Sequence, residues 1–146
     1  MPTRNELKEL AKLRLAEAET LLDAGFYDGA VYLCGYAVEF ALKARICRLL
    51  GVDEYPPPVT GLNSNRIKSA YTIHNVDQLL LLAGLKHKLD PTDNPEVWGN
   101  WSLASPWNPE NRYNPKGTIS QRQAEEMLEA VRNTPYGVLT WIMKFW

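Results

Sequence analysis

Apolar residues recur every three or four positions in the N-terminal third of the chain, and this spacing predicts two long helices. The first predicted helix runs from Thr3 to Ala24. Its start matches a capping box, because Glu6 lies three residues after Thr3, and Gly25 follows its last turn. The second predicted helix runs from Phe26 to Leu50 and ends at Gly51. Since so few residues separate the two helices, we expect them to pack as an antiparallel pair.

The helical spacing is interrupted after the second helix. The segment VDEYPPPVTGLNSNR contains three consecutive prolines together with Gly and Asn, which predicts a loop. Helical spacing returns from Val76 to Ala83, where Asn75 is a suitable N-cap residue. A further short helix is predicted near Pro95 to Ala104.

The last helical pattern begins near Ser120 and continues to Phe145. Pro135 lies inside this run, so we expect a kink or a short break there, with Thr134 able to cap the restarted segment. No segment shows the alternation that is typical of a strand, and the chain is therefore predicted to be all-α. Its 146 residues fit a single domain.

Composition and charge exclude several classes of protein. The net charge is −1, so no overall basic field attracts nucleic acid, and any such binding would need a local basic patch. No apolar run approaches the ~18 residues that a membrane helix needs, and the charged N-terminal segment lacks the apolar core of a signal peptide. Cys34 and Cys47 lie in apolar helical surroundings, about 20 Å apart along one helix, which is too far for a disulfide. They favour buried thiols in a reduced compartment, so we expect a cytoplasmic protein.

The stretch LLDAGFYDGAVYLCGYAVEFALKARI resembles the first two helices of the HEPN family (higher eukaryotes and prokaryotes nucleotide-binding). Members of this family typically show an Ala-rich helix of the form A-x-x-x-x-x-Y-A-x-E-x-x-L-K-A. The matching positions here are Ala30, Tyr36, Ala37, Glu39, Leu42, Lys43 and Ala44. Two later stretches, IHNVDQLLLLAG and NRYNPKGTISQRQAEEMLEAVRNTPYGVLTWI, also resemble bacterial members, so that the resemblance extends from about Lys12 to Trp146.

This resemblance implies both a fold and a range of functions. The family fold is a bundle of four to five helices built on an antiparallel helix pair. Members bind nucleotides or RNA, and they are frequently metal-independent ribonucleases. Many prokaryotic members form homodimers, and many pair with a minimal nucleotidyltransferase as toxin and antitoxin.

The arginine and histidine of the ribonuclease members are missing at the required spacing. Those members carry an Arg, four to six intervening residues and then a His on a late helix, because cleavage needs a base, an acid and a cation at the phosphate. The only histidines here are His74 and His87, and seven residues separate Arg66 from His74. Arg132, at the expected place, is followed by NTPYGV without a His. The sequence therefore argues against the family's usual nuclease chemistry.

The second helix carries the first group of candidate binding residues, Glu39, Lys43 and Arg45. Glu39 and Lys43 are one turn apart and can form an ion pair, whereas Arg45 lies about 120° around the helix from Glu39. The alternative is a surface ion pair without a functional role. Apolar neighbours nevertheless indicate that Glu39 is partly buried and needs partners. Gly35, inside the same helix, is explained most simply by the close approach of a neighbouring helix.

Three further candidates lie outside the second helix. His74 precedes a helix, where it either holds the turn by a hydrogen bond or belongs to a site. Arg112 and Tyr113 lie in a Pro- and Asn-rich loop, where their stacking could either hold the loop or bind a base and a phosphate. The C-terminal residues Trp141, Phe145 and Trp146 would leave an apolar face that forms a dimer interface or a covered core.

We therefore expect a HEPN-like domain without catalytic residues, cofactor or metal, which binds a nucleotide, RNA or a nucleotidyltransferase partner, as a homodimer. The ligand-binding candidates are Glu39, Lys43, Arg45, His74, Arg112 and Tyr113. One alternative is a metal-independent ribonuclease toxin that uses a non-standard set of residues. Another is a helical interaction module without a nucleotide site.

Overall fold

The computed structural model describes residues 1–146 and contains seven α-helices and no β-sheet, which confirms the all-α prediction. The helices are α1 (Arg4–Asp23), α2 (Tyr27–Leu50), α3 (Ser64–Tyr71), α4 (Val76–Leu82), α5 (Pro95–Ala104), α6 (Gln121–Arg132) and α7 (Val138–Ile142). Short 3-10 turns cover Lys86–Lys88 and Pro109–Tyr113. No helix is long and apolar enough to cross a membrane.

The first two helices form the predicted tight pair, joined by three residues. The capping box at the start of α1 is confirmed, because the Thr3 hydroxyl accepts from the Glu6 amide and the Glu6 carboxylate accepts from the Thr3 amide. Gly51 ends α2 in the left-handed conformation that favours glycine. Local chemistry at the helix ends thus fixes the frame of the bundle.

Helix α2 is the centre of the molecule. Half of its 24 residues are buried, and α1, α4, α6 and α7 all pack against it. Many of the buried positions on α2 carry small side chains, which allows the neighbouring helices to approach closely. Cys34 and Cys47 are among them and are unpaired, as expected.

Gly35 is explained by a side chain rather than by the neighbouring helix that the sequence suggested. A Cβ at Gly35 would lie 2.1 Å from the Trp107 indole, so the ring occupies the space of the missing side chain. Trp107 follows α5 and is buried, and its ring also meets that of Tyr36 edge-on at 5.0 Å between centroids. Gly35 therefore fixes the segment after α5 onto the middle of α2.

The structure differs from the prediction at two places in the chain. The predicted loop after Gly51 contains the start of α3, a helix without a single buried residue and without a side-chain cap, so that no apolar stripe marked it. The predicted break around Pro135 is confirmed. The second difference is that Thr134 does not cap the helix that restarts after this break. Helix α7 begins three residues later, after Gly137, whose amide donates to the Asn133 carbonyl oxygen.

The packing of Trp107 on Gly35 predicts the effect of a single methyl group. We expect Gly35→Ala to lower the free energy of unfolding by about 1–3 kcal/mol, because the indole must move out of a filled site. Gly99→Ala is the matched control, since Gly99 is also helical and a Cβ there meets no atom within 4 Å. It should be neutral or stabilising by up to about 1 kcal/mol. Urea unfolding followed by circular dichroism measures both, and equal stability of Gly35→Ala and wild type would contradict this packing.

Candidate functional site

A buried carboxylate on α2 is the centre of the candidate site. Glu39 is only 1% exposed, and its Oε1 atom accepts hydrogen bonds from Lys43 Nζ at 2.6 Å and from His74 Nδ1 at 3.0 Å. The second carboxylate oxygen, Oε2, is buried and has no hydrogen-bond partner within the chain. Oε2 is therefore an unsatisfied acceptor that lies in the protein interior, out of reach of solvent.

The Glu39–Lys43 pair is a buried pair rather than the surface pair that the sequence left open. The Lys43 side chain is 12% exposed, and its ammonium lies 5.3 Å from the centroid of the Tyr55 ring. The Tyr55 hydroxyl donates to the Tyr71 carbonyl oxygen, which ties the loop after α2 to the end of α3. Burial raises the pKa of Tyr55, so the phenol remains a neutral donor. Lys43 is therefore held between a carboxylate and an aromatic ring.

His74 completes this arrangement from a segment that is distant in sequence. It lies in the turn between α3 and α4, directly before Asn75, whose side chain caps α4 by accepting from the Gln78 amide. A carboxylate oxygen accepts hydrogen bonds, so Nδ1 carries the hydrogen that faces Glu39 and Nε2 is left available. The His74 side chain is half exposed, in contrast to Glu39 and Lys43. It is the member of the cluster that a ligand can reach.

A groove lies beside this cluster. It has a volume of about 250 Å³, and its lining includes Lys43, His74, Phe40, Tyr55 and Thr72. Enclosed small-molecule sites are usually roughly 300–1,000 Å³, so the groove suits one unit of a ligand, such as a base, better than a whole cofactor. Sequence reasoning missed Phe40, Tyr55 and Thr72, because nothing in the local pattern connects the proline-rich loop to α2.

Arg45 lies apart from Glu39 and Lys43, in agreement with its position around the helix. Its Nε atom donates to the Ala83 carbonyl oxygen at 3.2 Å and its guanidinium also donates to the Phe145 carbonyl oxygen at 3.0 Å. Burial, followed by the nearby charge of Arg48, lowers the pKa of Arg45. These contacts tie the ends of α4 and of the chain to α2.

Arg112 and Tyr113 stack on each other, as the sequence suggested. The guanidinium carbon lies 4.4 Å from the Tyr113 ring centroid, and Arg112 donates both to the Tyr113 hydroxyl and to the Pro109 carbonyl oxygen. The hydrogen bond with Tyr113 raises the pKa of Arg112. Neither residue makes a hydrogen bond or an ion pair with the Glu39 cluster, so the loop holds its own shape.

A row of aromatic rings on α2 lies between the Arg112 loop and the groove. The ring centroids of Tyr32 and Tyr36 are 5.2 Å apart and those of Tyr36 and Phe40 are 5.6 Å apart. Burial raises the pKa of Tyr36 to about 12, while the charge of Arg112 acts in the opposite direction. Phe40 also lines the groove, so partly exposed rings continue along α2 from the stacked loop to His74.

The chain contains no group of three or more His, Cys, Asp or Glu side chains that could hold a metal ion. The residues that line the groove include His74, Thr72, Phe40 and Tyr55, which carry an imidazole, a hydroxyl and two aromatic rings. Such a set can donate, accept and stack, which are the contacts that recognise an unstacked base.

Comparison with known proteins assigns most of the chain to a domain family. A family model described as HEPN domain matches residues 5–135, which cover α1 to α6. Searches of the curated proteins and of the solved structures found no match. The match covers most of the chain, and it includes Glu39, Lys43, Arg45, His74, Arg112 and Tyr113. The chain therefore belongs to the HEPN domain family.

Proposed function

We propose that this HEPN domain binds RNA or a nucleotide without cleaving it, and that the groove beside Glu39 receives one base. The supporting observation is the Glu39–His74 hydrogen bond, which holds a half-exposed imidazole at the rim of a groove that Phe40 also lines. In this proposal Phe40 supplies a ring face on which the base stacks. His74 Nε2 contacts the outer edge of the base or the adjoining phosphate.

The chemistry at the groove favours binding over cleavage. Cleavage of RNA without a metal needs a base, an acid and a cation that stabilises the charge on the phosphate. Lys43 is largely buried against Glu39 and Tyr55, and no arginine lines the groove. His74 is the accessible titratable group next to Glu39, so one residue would have to perform several of these roles.

The Glu39–His74 hydrogen bond supports a second candidate, a metal-independent ribonuclease with a non-standard set of residues. A carboxylate that holds one imidazole nitrogen fixes the tautomer and turns the other nitrogen toward a substrate, as in hydrolases with a carboxylate–histidine pair. In this alternative, His74 Nε2 would take the proton of a 2′-hydroxyl. Under either function we also propose a nucleotidyltransferase partner and a homodimer, because members of the family commonly have them.

The binding proposal predicts specific losses of affinity. We expect Phe40→Ala to weaken binding of a single-stranded RNA by roughly 5- to 150-fold, because a stacked base contributes about 1–3 kcal/mol. His74→Ala should also weaken it, because the contact of Nε2 with the base or the phosphate is lost. His87→Ala is the matched control, since His87 is exposed and lies outside the groove. Fluorescence anisotropy with a labelled RNA measures the affinities. Wild-type affinity in both groove variants would refute this site.

Lys43 is unsuitable for that test, because its removal would leave Glu39 buried without its charged partner. We expect Lys43→Ala to lower the free energy of unfolding by about 3–5 kcal/mol. Lys116→Ala, which removes an exposed lysine that forms no ion pair, should change it by less than about 0.5 kcal/mol. Chemical denaturation measures both, and equal stability of the two variants would show that the pair is not buried in solution.

The two candidate functions differ in one direct assay. We expect the purified protein to leave total RNA intact in the presence of a chelator, because the groove lacks an exposed cation for the phosphate. Gel analysis of the RNA after incubation reports cleavage. Cleavage that is lost in His74→Ala and in Glu39→Gln but retained in His87→Ala would replace the binding proposal with the ribonuclease alternative.

A further inference from the structure

Five cationic side chains gather around the last two residues of the chain. We call them the C-terminal basic cluster, and they are Lys8, Lys12, Arg45, Arg48 and Lys88. The ammonium groups of Lys8 and Lys12 both lie 5.7 Å from the Trp146 ring centroid, and that of Lys88 lies 5.3 Å from the Phe145 ring centroid. Elements that are far apart in the sequence therefore bring like charges to one face.

The two arginines of the cluster meet at the same backbone atom. Arg45 and Arg48 both donate to the Phe145 carbonyl oxygen, at 3.0 and 3.3 Å, and Arg48 also donates to the Trp146 carbonyl oxygen at 3.1 Å. These bonds explain the arginines as ties for the end of the chain. They do not explain the three lysines, whose ammonium groups make no hydrogen bond within the protein.

No acidic side chain forms an ion pair with the cluster. The molecule contains six ion pairs, and none of them includes a member of the cluster. Burial lowers the pKa of Lys8, and the charges of Arg4, Arg48 and Lys12 lower it further, so the cations are close enough to repel each other. A chain with a net charge of −1 has acidic side chains in excess, and yet none of them pairs with this face.

The surface of the cluster suits phosphates better than an acidic protein. Interfaces with proteins have an apolar centre with few charges, whereas interfaces with nucleic acid are strongly positive. Here the aromatic centre is covered, because Trp146 is buried beneath the two lysines of α1. The face therefore offers charge rather than an apolar anchor.

Helix α4 connects this face to the groove. His74 precedes its first residue, and Arg45 binds the carbonyl oxygen of Ala83 directly after its last residue. A helix of seven residues is about 10 Å long, so a single strand of a few nucleotides can reach from one site to the other.

We infer that the C-terminal basic cluster binds the phosphodiester backbone of a single-stranded nucleic acid whose base occupies the groove. The identity of the ligand as RNA rests on the proposed function, whereas the binding of phosphates rests on the cluster alone. Each phosphate contact with a single strand contributes about 0.7 to the slope of log affinity against log salt concentration.

The test uses two labelled strands of 20 nucleotide units on the full-length protein. One is a single-stranded RNA of mixed sequence, and the other is a strand of tetrahydrofuran phosphodiesters that has no bases. The cluster variant is Lys8→Gln/Lys12→Gln/Lys88→Gln, which keeps both arginine ties. The control Lys116→Gln/Arg122→Gln/Arg132→Gln removes the same charge from exposed positions elsewhere. Thermal unfolding of each variant shows that it is folded.

We expect wild type to bind both strands, and the cluster variant to lose more than about tenfold in affinity for both, with a salt slope lower by about 2. The control should keep the wild-type slope. Phe40→Ala should weaken the binding of the RNA and leave the binding of the base-free strand unchanged. An incorrect groove proposal would therefore not affect the result for the base-free strand. Wild-type affinity and slope in the cluster variant, or no binding of the base-free strand by wild type, would overturn the inference. If polyglutamate of matched charge competed as well as the base-free strand for the protein, the inference would be wrong and an acidic protein would be the better partner.

Discussion

The burial of α2 on nearly all sides is the constraint on which the other features depend. A helix that packs against four others can carry a charged residue on a buried face only if other segments bring partners to it. Glu39 is such a residue, and the turn before α4 is held where His74 can reach it. Gly35 also depends on the burial of α2, because the Trp107 ring after α5 occupies the space that a side chain at position 35 would need. The candidate site and the fold therefore depend on the same helix.

Local features of the structure could be predicted from the sequence, and features that join distant segments could not. The start of α1, the cap of α4 and the bounds of α5 depend on neighbouring residues, and all three are confirmed. Helix α3 was missed because it buries nothing. Among the candidate residues, the Glu39–Lys43 pair follows from one helical turn, whereas His74 reaches Glu39 from 35 residues away. The partners of Arg45 are 38 and 100 residues away, beyond any local pattern.

The molecule arranges its cations in two different ways. Beside Glu39 the Lys43 ammonium is paired and held in a fixed position, which suits a site that selects a ligand by shape and hydrogen bonding. Around Phe145 and Trp146 the cations have no acidic side chain as a partner and are mostly exposed, which suits attraction over a distance without selectivity. Membership of the HEPN family supplies the scaffold for both arrangements, and the chemistry of each site decides what it can bind.

The two cysteines of α2 have a consequence for experiments on this protein. Both thiols are fully covered, and burial raises the pKa of Cys34 and raises that of Cys47 to about 11. The thiolate is the reactive form, so neither side chain reacts with alkylating reagents while the surrounding helices remain docked. The rate of alkylation thus reports how often the bundle opens around its central helix, and the protein contains its own probe of slow conformational opening.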